Sequence, residues 1–522
     1  MRLSNFAHRC WVLALVGAIV LAEFLLILYL NKGVFTYALD DPYIHLVLAR
    51  SLATGHYGFN PGEASSPSSS ILFPFLLVPF VRIGLGTVAP LIINTVALLM
   101  TTYLLHRWLT DEMGATGFMS SMLTLTFVLT CSLVNMVFVG LEHSVQLMIG
   151  FIVCRGIARV DADRPAGWSF WASVVAGPLI RYELLAISFG ALAFVAWRTR
   201  RFRAPVLAAA AVCITVDGFG VFLVSRGLWW LPESVMSKIP YLSQPGFSTV
   251  RLVRRIATDF LANADTQPGT LMLGLTGLTI AGAMRRPEKT WCAVLAMLWL
   301  LAELLVGQVG WYRRYELWTL TAIFLMTVAA WAPLTESIGC LRPVPTLAGA
   351  LCLLIGTSPY LVLLERTPTG ANNIYNQQYQ LGLLVQRLGV RSIAVNDVGV
   401  IGWLNPNVHV FDVIGLASPE TLAHRRCCPD DAEWMDEMAR RHGVQLVLIY
   451  DSWVPARPAS WTKIGELRLS GKLVTPASSV VSIYGANSAV ATDLAPKLAA
   501  LAPDLPPEAT LSFAPSAQTL SQ

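Results

Sequence analysis

The sequence predicts an α-helical polytopic membrane protein of about eleven transmembrane helices, followed by a C-terminal α/β domain on the extracytoplasmic side. Three observations carry this prediction. Of 522 residues only 13% are charged and mean hydropathy is +0.58, where soluble globular chains carry about 25% charged residues. Apolar runs of spanning length recur through the first 364 residues. After Leu364 the pattern changes to short β-branched runs that end in turn residues.

The elements follow in order. Arg2 and Arg9 precede the apolar run 11–30, and no small-residue cleavage site follows it, so an uncleaved first helix is expected. A span takes about 20 apolar residues. Further candidates are 88–105, 117–135, 143–158, 168–180, 184–197, 204–224, 269–283, 291–309, 315–333 and 345–364. The pair 168–180 and 184–197 is short and reads either as one bent helix or as two half-length helices around Arg181-Tyr182-Glu183.

Charge sets the threading, because cytoplasmic loops are enriched in Lys and Arg. With the N-terminus inside, the inner loops hold 14 Lys and Arg in 57 residues and the outer segments 11 in 116, the expected direction of bias. This places the protein in the cytoplasmic (inner) membrane with its C-terminal domain outside. The stretch 71–84, "ILFPFLLVPFVRIG", is short for a span and broken by Pro74 and Pro79, so it is expected to lie along the outer surface. The net charge of +5 resides in short orienting loops and does not indicate nucleic acid.

The expected organisation is a transmembrane domain over 1–364, whose first outer loop is 31–87, and an α/β domain over 365–490. The Ala-, Pro- and Ser-rich tail 491–522 reads as disordered. In the α/β domain "DDAEWMDEMARRHG" reads as a helix, acidic early, basic late and stopped by Gly443. Nine cysteines show no zinc-site spacing, and the adjacent Cys427 and Cys428 leave a vicinal disulfide open.

With this threading the conspicuous polar clusters fall on the outer side: Asp40-Asp41, Glu142-His143, Arg181-Tyr182-Glu183, Lys238 and Arg313-Arg314. Ionisable groups near spans are costly and usually functional. Each also has a plainer reading. Asp40-Asp41 before Pro42 suits a helix cap. Glu142-His143 suits an internal hydrogen-bonded pair, Arg181 and Glu183 a structural ion pair, Lys238 a solvated lysine, and Arg313-Arg314 a contact to lipid phosphates. His45 and His56 read as surface residues rather than ligands.

The first loop is more specific. "LDDPYIHLVLARSLATGHYGFNPGEASSP" resembles polyprenyl-phosphate-dependent membrane glycosyltransferases of the GT-C fold, above all the actinobacterial cell-wall arabinofuranosyltransferases and their relatives. The likeness rests on Asp40-Asp41, Ile44, Ala49-Arg50, Leu52, Gly55, Asn60-Pro61-Gly62-Glu63 and Ser66-Pro67. "GLEHS", "RYELL", "LPESVMSK" and "RRYELW" add to it, as do "VNDVGVIGW" and "FDVIGLASP" in the last domain. Two departures stand out: "ASSPSSS" follows Glu63 where an aromatic-rich stretch is usual, and Tyr182 replaces the usual Pro.

The resemblance implies an inverting transfer of a sugar, such as the pentose arabinofuranose, from a polyprenyl-phosphate donor to a cell-envelope glycan or glycolipid acceptor. Such a transfer needs a carboxylate to take the acceptor's proton. One of Asp40 and Asp41 is expected to serve, with a lean towards Asp40, while the other positions a sugar, a metal or the loop. Arg313, Arg314, Lys238 and Arg181 are the candidates for the departing phosphate. Glu142, His143, Tyr182, Glu183, Asn60 and Glu63 are candidates for binding or orienting sugar and acceptor. No definite cofactor is implied, and a divalent cation stays open. The rival classes are a transporter or flippase of lipid-linked sugars, which would show repeats and midplane polar residues, and a non-catalytic envelope-assembly scaffold.

Overall fold

The computed structural model of the chain describes residues 2–237, 249–334, 343–429 and 431–514. Every predicted span coincides with helix. Six helices among the described residues are long and apolar enough to cross a membrane: Asn5–Leu30, Gly86–Asp111, Gly117–Val139, His143–Asp161, Arg203–Ser225 and Pro287–Val306. Shorter apolar helices cover Phe73–Arg82, Trp168–Ile180, Leu184–Thr199 and Leu317–Trp331. The stretch 168–197 is two helices rather than one bent helix, because Arg181 is extended at φ −153° and ψ 134°.

The chain divides into two compact units. The first comprises Met1–Glu23, Leu91–Gly218 and Ser248–Glu365 and is helical. Its buried hydroxyls return bonds to their own helices, as from Thr101 to Ala97 O at 2.7 Å and from Thr276 to Met272 O at 2.8 Å, which satisfies polar atoms where water is scarce. Helices approach closely at small residues. Gly156 lies against the ring of Phe170, where a Cβ would collide.

The second unit comprises Phe24–Pro90, Phe219–Phe247 and Arg366–Gln522. Its centre is a six-stranded sheet of order β2-β1-β3-β5-β4-β6, with β1 Ser392–Val395, β2 His409–Asp412, β3 Leu446–Ile449, β4 Thr462–Leu469, β5 Val480–Gly485 and β6 Ala509–Phe513. β1 pairs in parallel with β2 and β3, and the remaining pairs are antiparallel. Alternation sends Ile393, Val395, Leu446, Leu448 and Ile483 to one face and Ala394, Phe411, Val447 and Ile449 to the other.

Two expectations change here. The first outer loop does not belong with the transmembrane helices. Ile44, Val47 and Phe59 pack in the same core as Leu384, Val395 and Ile401, so the loop and the α/β domain share one hydrophobic interior. The tail is ordered over much of its length. Asn487 caps helix Ser488–Leu501 by accepting from Val490 N at 2.9 Å, and β6 extends the sheet edge. Residues 515–522 lie outside the described residues. Cys427 and Cys428 are free, exposed thiols.

Candidate active site

Asp40 stands at the cap position of helix Asp41–Ala53, yet its side chain makes no capping bond there. Its carboxylate reaches the distant segment "VNDVGVIGW" instead. Oδ2 accepts from Gly399 N at 2.7 Å and Oδ1 from Val400 N at 2.8 Å. These are the first amides of helix Gly399–Leu404, which lack partners within their own helix. Gly399 has to be glycine: a Cβ would strike the carbonyl oxygen of Asp40.

Asp41 is half-buried and opens the next helix. Its charge is felt by both Asp40 and Asp397. Burial pushes the Asp40 carboxyl up to about 8; the charge on Asp397 adds to the rise and the two amide bonds oppose it. Asp397 is raised for the same first reason, with Asp41 adding and its own donors opposing. Oδ2 of Asp397 lies 2.9 Å from Gln378 Nε2 and 2.8 Å from the Tyr450 hydroxyl.

A proton count supports that direction. The Tyr450 hydroxyl is also 2.7 Å from Gln377 Oε1. Gln377 Nε2 donates to Ser478 O at 2.9 Å, which fixes Oε1 as an acceptor. One hydroxyl proton cannot serve both oxygens, so satisfying both contacts requires a proton on Asp397. Gln377 and Gln378 sit in a π-helical turn, Tyr375–Tyr379, a local widening that recurs at functional positions.

The rest of the loop motif is tied to the same domain. Arg50 donates to Trp403 O at 2.8 Å and Gly402 O at 2.9 Å. Asn60 accepts from Val410 N and donates to Val410 O, both at 2.9 Å. It also donates to Glu63 Oε2 at 2.9 Å. Glu63 Oε1 meets His409 Nε2 at 3.0 Å. His45, expected on the surface, is buried beside Ser68 and edge-on to Phe73, because its helix is embedded on that face. His56 is half-buried near the carbonyls of Asn60 and Glu63. Ser66 N donates to Glu233 Oε2 at 2.5 Å, and burial lifts the Glu233 carboxyl to about 7.

The other predicted residues lie in the helical unit. Arg181 is buried and fully engaged by acids: Nη1 bonds Glu142 Oε1 at 2.9 Å, while Nη2 and Nε bond the two oxygens of Glu183 at 2.5 and 3.1 Å. This is the plainer, ion-pair reading. His143 is buried in the first turn of its helix, and Tyr182 is half-buried. Arg313 and Arg314 lie on a left-handed turn in which Trp311, Tyr312 and Arg313 have φ of 41°, 62° and 56°. Such residues cost of order 1–3 kcal/mol each and cluster at functional sites. Buried Glu316 closes the turn by accepting from Gly310 N at 3.1 Å and from Tyr360 Oη at 3.1 Å. Arg313 donates to Gln267 Oε1 at 3.1 Å, and Arg314 packs on Tyr315. Lys238 lies outside the described residues.

Sequence reasoning therefore missed Asp397, Tyr450 and Glu316 as partners. "VNDVG" and "RRYE" contained two of them, but nothing local linked Asp397 to a loop more than three hundred residues away.

Residues 372–484 match a family profile described as a domain of unknown function (DUF8728). No curated protein matches the chain. Among solved structures, apo ArnT from Cupriavidus metallidurans is similar at 11% identity and TM-score 0.51, over 91% of this chain and 98% of that one. The undecaprenyl phosphate-bound form of ArnT gives 12%, 0.48, 91% and 99%. Arabinofuranosyltransferase AftD from Mycobacteria gives 13%, 0.40, 91% and 41%. The chain has the GT-C fold.

Proposed function

We propose that the chain is an inverting glycosyltransferase that moves a sugar from a polyprenyl-phosphate donor to an envelope glycan or glycolipid on the outer face of the cytoplasmic membrane. The observation that carries this reading is the cluster of Asp40, Asp41 and Asp397 in the first-loop unit, where burial lifts Asp40 to about 8 and raises Asp397, with the charge of Asp41 adding to both.

In this reading the acceptor hydroxyl attacks the anomeric carbon. The carbon–oxygen bond to phosphate breaks, the lipid phosphate leaves with the electron pair, and a carboxylate takes the hydroxyl proton. We assign that base to Asp41. Both oxygens of Asp40 already accept backbone amides, so Asp40 is a positioning residue, contrary to the lean towards it drawn from the resemblance. Arg313 and Arg314 are the proposed contacts of the lipid phosphate, which gathers charge as it leaves. Arg181 is assigned to holding Glu142 and Glu183 rather than phosphate. A pentose is the sugar that the loop resemblance favours.

The test is transfer from polyprenyl-phosphoryl sugars to a glycan acceptor by folded Asp41→Asn and Asp40→Asn proteins. Asp41→Asn is expected to lose about 10²–10⁴-fold in rate. Equal rates for Asp41→Asn and parent would reject the assignment. A scaffold reading draws on the same loop, because Arg50 and Asn60 fasten it to the α/β domain. It predicts no transfer by the parent with any lipid-linked sugar.

A further inference from the structure

Glu63, His409 and His442 come together although they lie hundreds of residues apart. Glu63 ends the loop motif Asn60-Pro61-Gly62-Glu63, His409 opens β2, and His442 follows helix Ala432–Arg441. Their ligand atoms, Glu63 Oε1, His409 Nε2 and His442 Nδ1, all fall within 4.8 Å of one another. Glu63 Oε1 is 3.0 Å from His409 Nε2 and 4.0 Å from His442 Nδ1. Those separations bracket the roughly 3.3 Å between ligands of a tetrahedral ion with bonds of about 2.0–2.1 Å. We propose that these three side chains bind a divalent transition-metal ion, zinc by preference, and so clamp the first loop to the α/β domain.

The surrounding bonds fit that task. A metal-bound histidine usually donates its other ring nitrogen to a carboxylate. His442 Nε2 is 2.5 Å from Glu420 Oε1, leaving Nδ1 as the ligand atom. Asn60 Nδ2 holds Glu63 Oε2 at 2.9 Å, which turns Oε1 towards the histidines. The amide of Asn60 is itself fixed, since its Oδ1 accepts from Val410 N. His409 Nδ1 is buried with no hydrogen-bond partner among the described residues, and Nε2 faces Glu63 Oε1, so an ion held between them would replace the proton that they share.

The imidazoles stack at 4.8 Å with planes 11° apart. Two imidazoles and one carboxylate suit zinc better than magnesium or calcium, which favour all-oxygen shells. Water would complete the set.

The full-length protein in detergent, stripped with chelator and repurified, is titrated with zinc alone against a competing indicator. One ion per chain is expected, with a rise in thermal midpoint that chelator reverses. His409→Ala/His442→Ala should abolish that ion. Glu420→Gln, which keeps all three ligands, should weaken affinity about 10–100-fold and decides the matter if the double variant does not fold. Cys427→Ser/Cys428→Ser should leave binding unchanged. Zinc absorption spectra should contain imidazole and oxygen scattering only. No retained ion, undiminished binding in the double histidine variant, parent-like affinity in Glu420→Gln or sulfur in the spectrum would each overturn the proposal.

Discussion

Two groups of carboxylates in this chain, each built around a buried member, handle their charge in opposite ways. In the helical unit, Glu142 and Glu183 close on the guanidinium of Arg181, which all but fills its hydrogen-bonding fork. In the first-loop unit, Asp40 and Asp397 meet backbone amides, a glutamine, a tyrosine and each other's charge. The difference teaches what each cluster can do. A carboxylate paired with arginine fixes geometry. A buried carboxylate held by neutral donors beside other carboxylates keeps its proton to higher pH.

The largest effect expected from this contrast is on stability. Replacing Arg181 by Met strands the buried Glu142 and the half-buried Glu183 and should cost about 3–5 kcal/mol, read as a fall in thermal midpoint. Glu142→Gln with Arg181→Met should recover part of that loss. A double variant no more stable than the single one would break the comparison on its helical side.

This contrast was only half legible in the sequence. "RYELL" carries both partners of one ion pair two residues apart, so Arg181 with Glu183 could be read directly. Asp40 could not, because its partners Gly399 and Val400 are remote in sequence and backbone amides leave no side-chain signature. The spans were legible because apolar runs are long-range facts of composition. The tail misled because alanine and proline were read as disorder. Yet Ala491, Leu494, Ala495 and Leu498 recur at helical spacing, and they are the residues that the helix buries.

The next effect concerns the arginines of the left-handed turn. Arg314→Gln should raise the apparent KM for a polyprenyl-phosphate donor about tenfold or more, as expected for a charge-assisted phosphate contact, and leave the acceptor KM nearly unchanged. Equal effects on both substrates would place Arg314 with Arg181 among the structural cations. Gly399→Ala comes next, at about 1–3 kcal/mol for forced overlap. It should displace Asp40, whose carbonyl and carboxylate both lie against the added Cβ, and lower transfer without replacing any residue of the carboxylate cluster. Unchanged activity would mean that the position of Asp40 does not matter.

The finest test is the pH dependence of stability. The unfolded chain releases the Asp40 proton near the ordinary carboxylate value of 3.8, whereas the folded chain holds it to about 8. Between those values the unfolded state binds fewer protons, so stability should fall as pH rises and level off above about 8, with a slope of at most about 1.4 kcal/mol per pH unit from this group. The raised Asp397 acts in the same direction. Asp40→Asn should flatten part of the decline, which thermal midpoints in detergent between pH 5 and 8 would measure. A parent whose stability instead rises through that window would have its first-loop carboxylates ionised, and the contrast with the arginine-paired cluster would be lost.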